Sequence, residues 1–516
     1  MKGILKGMQL IDSFLNKITM YRLVLYYLIV LLAASVFFSF FHLLPFGPLD
    51  IIISTLVLVI ACLVANFLLA KIFKVVTNIE SVLITSLILA LIIPLSFPAN
   101  LKFLIEVSIF AMSAKYLPTI DKRHIFNPAA AGVVAVALLT NNSATWWVGT
   151  PMLLPFVVVG GLLLIRKIRR ETLAFNFLLA YFFLIAAGSV LRVGTIQAII
   201  TTWQLSILHS GVFFFTFVML TEPMTSPATK KLQGYFGYFV ALLYATPQLR
   251  LISIGFTPET ALVIGNVFSY LISPNYRLDL TLKWKKQLSP DTYAFAFNRS
   301  PDFRFTPGQY MEWTLNHKNA DSRGIRRYFS LASSPTESDI FMTVKFYTPS
   351  SSFKKELLDM SPGGRITAAQ LAGDFVLPKD IKKPVVFIAG GVGIAPFRSM
   401  IKHIVDKNLP ANIVLFYSNR NANEILFSDT LNAAIGNGVK TVYTLTDKIN
   451  VPSDWAGEKG YITEEMIRRH VPHYSHCTFY VSGPQLMVQN FEKTLREMEI
   501  PRNQIITDFF PGYSEK

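Results

Sequence analysis

Three groups of residues have types and spacings suited to chemistry. The first is Gly390, Gly391 and Gly393, followed by Pro396, in the stretch KKPVVFIAGGVGIAPFRSM at 382–400. A glycine turn between an apolar run and a helix start lets a diphosphate approach backbone N–H groups and a helix N-terminus. The second is RRYFSLASSP at 326–335. Arg327 is a fixed positive fork suited to a pyrophosphate. Tyr328 and Phe329 alternate to opposite sides of a strand, so an aromatic there can pack on a planar ring system, and Ser330 offers a hydroxyl to its reactive edge. Downstream, Ser350, Ser351 and Ser352 in YTPSSSFKKEL stand at a helix start that can take an anion.

The third group lies in the apolar half of the chain. Asn127 precedes Pro128 in HIFNPAAAG, and Glu222 precedes Pro223 in VMLTEPMTSP. Both read as helix starts with proline in the first turn, or as an internal repeat whose broken helices frame a ligand. An acidic residue such as Glu222 at membrane depth is costly and points to a site. Thr145 sits in TNNSATWWVGTP at 140–151. Trp146 and Trp147 beside it fit an interfacial aromatic belt, which leaves Ser143, Ala144 and Thr145 unexplained.

These groups need elements to hold them. From Pro384 onward, buried strand-like runs alternate with helical ones: PVVFIAGG, NIVLFYSNR, KTVYTLT and CTFYVSGP, with helices opening at IAPFRSM, near Glu424 and at QLMVQNFEKTLREM. That order predicts a parallel sheet with helices on both faces and ligands at the C-terminal strand ends. Residues 276–380 alternate apolar and polar positions between turns at SPD, TPGQY and SPGG, which predicts a small antiparallel β-barrel. Residues 1–275 contain ten apolar stretches, near 21–44, 48–72, 81–97, 100–118, 125–140, 151–168, 172–191, 195–220, 233–249 and 257–273. Each approaches the roughly 20 residues of a membrane span. The eighth holds HSG at 209–211 and reads as one broken helix or two short pieces. The expected fold is therefore a polytopic α-helical membrane bundle of about ten spans, followed by the barrel at 276–380 and an α/β domain at 381–516.

Charge supports this layout. The chain of 516 residues is 52% hydrophobic, only 16% charged, and carries a net charge of +16. Lys71 and Lys74, Lys122 and Arg123, and Arg166, Lys167, Arg169 and Arg170 follow the second, fourth and sixth stretches, and Lys2, Lys6 and Lys17 precede the first. The positive-inside rule then puts both termini in the cytoplasm, with Arg192 and Arg250 on the wrong side. No basic face with interleaved aromatics suits nucleic acid. Two cysteines, Cys62 and Cys477, are too few for a cysteine-ligated iron–sulfur cluster. No metal site is expected. His42, His124 and His209 lie on different segments rather than pairing on facing helices as a haem needs.

FNPAAAGVVAVALL, SAT and TEPMTSPATKKLQGYFG resemble two related membrane proteins, NqrB of sodium-translocating NADH:quinone reductase and RnfD of the Rnf complex, over roughly 100–275. That resemblance implies a flavin in the membrane, with FMN covalent at Thr145. The family's upstream aspartate is absent here, where Leu139, Thr140, Asn141 and Asn142 stand. A non-covalent flavin framed by Asn127 and Glu222 is the rival. Residues from about 277 to 516 resemble the ferredoxin–NADP reductase superfamily. This implies FAD on Arg327, Phe329 and Ser330, which match its Arg-x-Tyr-Ser motif with Phe for Tyr. It implies NADH or NADPH at Gly390, Gly391, Gly393 and Pro396, with Ser482 and Gly483 in VSGPQLM matching the late Cys-Gly segment and Ser482 in the cysteine position. Phe509 or Phe510 in TDFFPGY covers the flavin until nicotinamide displaces it. Ser418 and Arg420 lie where the adenosine ribose is read; Arg420 holds a 2′-phosphate or is a plain surface arginine. Ser330, Ser482 and Phe510 thus stand at the reacting centre.

The two resemblances together imply an NAD(P)H-dependent flavin oxidoreductase of the cytoplasmic membrane. Its electrons pass from FAD to a membrane flavin or quinone, and on to a membrane or extracytoplasmic redox acceptor. A redox-driven Na⁺ or H⁺ transporter and a haem-dependent ferric-reductase-type enzyme are the alternatives.

Overall fold

The computed structural model describes residues 18–508, together with 11, 14 and 15, except 74–77, 118, 121–122, 141, 250–254, 274–276, 319, 322–323, 379 and 448. Lys2, Lys6, Lys17, Lys74, Lys122 and Arg250 of the charge pattern therefore lie outside the described residues. The chain divides into two compact units, Met1–Ser273 and Pro274–Lys516.

The first unit is helical: α1 Met20–Phe40, α2 Pro48–Phe73, α3 Ile79–Ile92, α4 Leu101–Ser113, α5 Pro128–Thr140, α6 Leu154–Ile168, α7 Glu171–Val193, α8 Ile196–Leu208, α9 Lys230–Leu249 and α10 Pro258–Ile272. A helix stands in each of the ten apolar stretches, yet the expectation of about ten spans is corrected. Among the described residues only α1, α2 and α7 are long and apolar enough to cross a membrane. A fourth is reached if α8 and Val212–Leu220 are one span bent by 64°, the break falling where HSG predicts it. The physical reason is helix length. Helices of 13 to 15 residues, such as α4, α5 and α6, rise only about 20 Å against a hydrocarbon core of roughly 30 Å. α9 is longer but contains Lys230, Lys231, Gln233 and Pro247. Apolar composition marked the segments without showing where caps would cut them.

Asn127 makes one such cut. Its side-chain oxygen accepts the Ala130 N–H at 3.1 Å, and Pro128 opens α5, a capped start with proline in the first turn. Glu222 behaves differently. It follows a π-helix, Phe215–Leu220, and no helix begins until Lys230, so the two X–Pro stretches are not equivalent helix starts. Small residues set the close contacts. A Cβ added to Gly132 would lie 2.7 Å from Ala111 Cβ, and one on Gly161 would meet the Phe217 ring at 2.3 Å.

The second unit holds two six-stranded sheets. The antiparallel one contains β1 Arg277–Ser289, β2 Thr292–Asn298, β3 Tyr310–Thr314, β4 Arg326–Ser330, β5 Asp339–Lys345 and β6 Arg365–Ala372, in spatial order β4-β3-β6-β1-β2-β5. Its core is aromatic and aliphatic, with Trp313, Phe295, Phe297, Phe303 and Phe353 fully buried. The predicted barrel is corrected to an open sheet. β4 and β5 are its two edges, and no ladder joins them. Ala332 and Ser333 each donate an N–H to Phe341 O, at 2.9 and 3.4 Å. A chain that turns this soon after a five-residue edge strand has no length left to pair along β5. Helix α11, Ser352–Asp359, precedes β6.

The parallel sheet contains β7 Val385–Gly390, β8 Ile413–Asn419, β9 Val439–Leu445, β10 Glu458–Lys459, β11 Thr478–Ser482 and β12 Ile505–Asp508, ordered β10-β9-β8-β7-β11-β12. Helices α12 Ile394–Asp406, α13 Ser428–Ala433, α14 Glu464–His470 and α15 Gln485–Glu497 connect the strands. Every residue of β7 is buried, as a central parallel strand requires. Cys477, at the foot of β11, is buried, and burial pushes its thiol up to about 11. It is an inert core residue.

The tight helix contact gives a first prediction. Gly132→Val forces a side chain into α4 and should destabilise the bundle by about 1–3 kcal/mol. Thermal melting in detergent should fall for this variant and stay unchanged for Leu138→Ala, whose side chain is exposed.

Candidate functional site

β7 is the strand at which chain order reverses. The chain steps from β7 to β8 and β9 on one side, then to β11 and β12 on the other. Connections diverging from such a point leave a crevice at the carboxyl ends of the strands. Gly390, Gly391 and Gly393 stand there. Gly391 has φ +52° and open space where a Cβ would be, so only its backbone conformation asks for glycine. Gly393 is held by contact instead: its Cβ would lie 2.5 Å from Ser482 O and 2.6 Å from Gly483 Cα. Gly390 packs on Met487, whose sulfur would be 2.2 Å from an added Cβ. The turn Gly391–Gly393 leads straight into α12, with Pro396 buried in its first turn. Open space beside Gly391 and a 13-residue helix pointing its N-terminus out of the turn fit a diphosphate.

Ser482 is buried and lies between Ala389 and Asp508 in the ladder. Ser418 is half-buried opposite Gly390 at the end of β8. Arg420, one residue past the strand, is exposed, and its carbonyl accepts the Asp447 N–H at 3.0 Å. Ser418, Gly390, Gly393, Ser482 and Gly483 thus share one rim. Met487 and Asp508 also belong to it and were missed among the candidate residues. Met487 stood in plain view three residues after Pro484, at helical spacing from the turn. Phe509 and Phe510 lie outside the described residues.

The other half of the candidate site is the edge strand β4. Arg327 and Phe329 share a face: the guanidinium lies 5.4 Å from the Phe353 ring centroid and the Phe329 ring 6.0 Å from it. Phe329 is half-buried against the sheet's own core. Tyr328 takes the outer face, 39% exposed. Its hydroxyl donates to Glu312 Oε2 at 2.9 Å, and its ring stands edge-on to Tyr310 at 5.8 Å. Ser330 ends the strand, half-buried and paired with Tyr310.

Arg327 and the serines meet through Asp321, which sequence reasoning did not single out. Asp321 Oδ1 takes Arg327 Nη2 at 3.4 Å, and Oδ2 takes the Ser352 N–H at 3.0 Å. Ser352 Oγ in turn accepts the Asp321 N–H at 2.9 Å, and Ser351 Oγ caps α11 by accepting Lys354 N–H at 3.3 Å. The expected anion cradle at the start of α11 therefore exists as a donor set, with a carboxylate of the chain seated in it. A guanidinium and a helix N-terminal N–H facing one carboxylate are the donors a pyrophosphate uses. Within this unit the glycine turn approaches β5. Lys345 at the end of β5 bonds Glu424 at 2.9 Å and Asp291 at 3.1 Å. Burial alone would lower its pKa, yet the two carboxylates hold it above the ordinary lysine value.

In the helical unit, Asn127 and Glu222 meet directly. Asn127 Nδ2 donates to Glu222 Oε2 at 2.9 Å, and the Asn127 N–H donates to Asn266 Oδ1 at 2.8 Å. Thr225 Oγ1 also donates to Glu222 Oε2 at 3.2 Å, while His124 Nε2 lies 3.7 Å from Oε1. The cluster closes on itself, with no gap between Asn127 and Glu222. Thr145 is exposed on a rigid loop. The N–H groups of Thr145 and Trp146 both donate to Ile92 O, at 2.8 and 2.9 Å. Trp146 adopts φ +49° and its indole donates to Glu259; Trp147 is buried and donates to Ala90 O at 3.0 Å. Both indoles turn inward, which corrects the aromatic-belt expectation: their N–H groups found partners inside the bundle. Exposed Thr145 fits a covalent attachment point.

Comparisons with known proteins agree with this geometry. Residues 387–493 match the family model described as Oxidoreductase NAD-binding domain. The match begins inside β7 and ends inside α15. A flavohemoprotein of Rhodopirellula baltica is 30% identical over 218 residues, covering 40% of this chain and 53% of that protein. NADH-cytochrome b5 reductase 1 of Emericella nidulans is 27% identical over 241 residues, covering 44% and 76%. The F component of the Na(+)-translocating NADH-quinone reductase of Neisseria meningitidis is 28% identical over 241 residues, covering 43% and 58%. The chain spans about half the length of the flavohemoprotein it matches. The second unit carries an NAD-binding domain of the oxidoreductase class.

Proposed function

We propose that this chain is a membrane-embedded NAD(P)H:flavin oxidoreductase. The carrying observation is the glycine turn at the reversal point of the parallel sheet, in one chain with three helices long and apolar enough to cross a membrane. In this reading residues 1–275 form the membrane domain, 276–380 the FAD domain and 381–516 the NAD(P) domain.

Bound FAD supplies the ability to take the hydride and electron pair of NAD(P)H, which leaves as NAD(P)⁺, and to release those electrons singly. The chain's own residues bind and orient. Gly390, Gly391 and Gly393, with Pro396 and the α12 N-terminus, hold the donor's diphosphate. Ser418 and Arg420 read its ribose. Ser482 and Gly483 wall the nicotinamide side, where a hydroxyl replaces the thiol of the related motif. Arg327 and the α11 N-terminus at Ser351 and Ser352 hold the FAD pyrophosphate once Asp321 gives way. Phe329 packs the ring system, with Tyr328 on the other face of β4, and Ser330 faces its reactive edge; Phe509 or Phe510 covers it. In the membrane domain, Thr145 carries FMN covalently, or a non-covalent flavin or quinone binds near Asn127 and Glu222. The acceptor is then a quinone or an extracytoplasmic redox protein. With α8 and Val212–Leu220 taken as a fourth, bent span, the crossings are even in number, and the basic groups of Lys71 and of Arg166, Lys167, Arg169 and Arg170 then orient both termini toward the cytoplasm. The half-buried Glu222 cluster, with His124 at 3.7 Å, favours a second reading, in which electron flow drives Na⁺ or H⁺ movement.

The whole reading is tested on protein purified with native lipids. NADH or NADPH should bleach the flavin absorbance within one mixing experiment, and a flavin that neither donor bleaches defeats it. Gly393→Ala pushes a methyl against the Ser482–Gly483 backbone, so the donor's KM should rise about tenfold or more while FAD content stays constant. Thr145→Ala should remove flavin fluorescence from the denatured protein band and leave the extractable FAD unchanged. Asp321→Asn weakens the carboxylate's competition for Arg327 and Ser352, and FAD titration of the stripped protein should show tighter binding.

A further inference from the structure

α12 starts at the glycine turn, and two of its residues reach back to the segment that follows Ser330. Arg398 is 7% exposed. Its Nη2 donates to Glu337 Oε1 at 2.8 Å, and its Nη1 bonds Glu337 Oε2 and donates to Ala332 O at 3.1 Å. The guanidinium lies over the Phe341 ring at 4.6 Å and near the Phe427 ring at 5.6 Å. Ser399 Oγ donates to Ser333 O at 2.6 Å. Glu337 also accepts the Ser334 N–H at 2.6 Å, and Ser333 Oγ accepts the Phe341 N–H at 3.1 Å. At the far end of α12, Thr336 Oγ1 bonds Asp406. The 332–337 segment is therefore bonded chiefly to α12, with Phe341 of β5 taking Ser333 Oγ.

The arrangement has a direction. Ala332 and Ser333 are the second and third residues after Ser330. Arg398 and Ser399 are the fifth and sixth after Gly393, within two turns of one rigid helix. The bonds therefore connect the segment just past β4 to the opening turns of the helix that follows the glycine turn. An ordinary contact between two sheets needs no bidentate, buried guanidinium with two aromatic rings beside it. A planar fork fixes both distance and angle, which a hydrophobic contact does not.

We propose that Arg398, with Glu337, is a positioning clamp that sets the separation between the nicotinamide-side turn and the flavin-side Ser330. The proposal rests on the NAD(P)H-to-FAD reading above. Arg398 touches neither cofactor in it; it fixes the elements that do. A misplacement of about 1 Å at a reacting centre costs on the order of 100-fold in rate, so the clamp should govern the reductive step more than binding.

The test uses the full chain in lipid nanodiscs, loaded with FAD, with Arg398→Met, Arg398→Lys, Glu337→Gln and the double variant Arg398→Met/Glu337→Gln. The double variant removes both charges together, so it leaves no unpaired buried ion to unfold the unit. Stopped-flow bleaching by saturating donor should slow by about 100-fold in Arg398→Met and about tenfold in Arg398→Lys, which keeps the charge but loses the fork. The double variant should be no slower than Arg398→Met, because the two residues act as one device. The dissociation constant for NAD(P)⁺ should stay within about threefold, and FAD content should stay constant. In flavin-stripped protein, amide exchange across 331–341 should quicken in every variant, independently of turnover. Unchanged bleaching in Arg398→Met or in the double variant overturns the clamp, as does a loss confined to donor or FAD binding. Failure of the unsubstituted protein to bleach overturns the functional reading instead.

Discussion

The second unit depends on one place where backbone meets backbone. At the reversal point of the parallel sheet, the turn after β7 passes so close to Ser482 and Gly483 that no Cβ fits on Gly393. That approach fixes where α12 begins and which way it points. The helix then decides where Arg398 and Ser399 stand, and through them the path of 332–337 beyond β4. Two sheets with separate cores are thereby held in one register. Backbone contact is well suited to this role because it has no rotamers: nothing at Gly393 relaxes when a neighbour moves.

The helical unit solves a different problem. In the proposed membrane domain every backbone polar group facing lipid must be satisfied within the protein, and short helices expose more ends per residue than long ones. The bundle answers with side chains. Asn127 caps α5 while its own N–H is taken by Asn266. Two N–H groups of the Thr145 loop share Ile92 O at the end of α3. Thr216 and Thr221 return their hydroxyls to carbonyls one turn back, at 2.6 and 2.8 Å, around the π-helix. A π-helix widens the turn and leaves carbonyls poorly matched, and such turns gather at functional places. Here it ends at Leu220, two residues before Glu222. The half-buried Glu222 carboxylate thus follows an irregularity in the helix rather than a regular helix start at Pro223.

How much of this was legible in the sequence follows from the range of each signal. The parallel sheet was readable because its strands are continuous apolar runs punctuated by glycine, a local pattern. The glycine turn was readable for the same reason, although which glycine is required by φ and which by a neighbour was not: Gly391 and Gly393 look alike in a string. Barrel closure was not readable, since it turns on whether edge strands β4 and β5 pair across a gap. Span number was misjudged because apolar composition does not show helix length: α4, α5 and α6 run only 13 to 15 residues. Trp147 illustrates the limit best. A tryptophan at a membrane edge and one buried with its indole on Ala90 O have the same neighbours in sequence. Asp321 and Arg398 were invisible as partners because their targets lie 31 and 61 residues away.

The choice of an ion pair for the Arg398 contact has a physical logic. A buried pair gains little net stability over well-packed apolar residues, since desolvation offsets most of the attraction. Its advantage is discrimination. Phe341 and Phe427 would pack acceptably against many shapes, and a hydrophobic patch between two sheets tolerates sliding. Glu337 accepts from both ends of one guanidinium while also holding the Ser334 N–H, so a slide of even one residue breaks several bonds together and strands a charge. The penalty falls on wrong arrangements rather than being a bonus for the right one. Asp406 extends this logic to the last turn of α12: despite partial burial, its bonds from Lys402 and Thr336 hold its carboxyl below the usual aspartate range. Its contribution is therefore fully present at neutral pH and is lost as pH falls through the folded value, below about 4. The bonds to Glu337 and Thr336 hold the helix near its start and at its last turn, and the rigidity of the helix carries that fixed position back to the glycine turn.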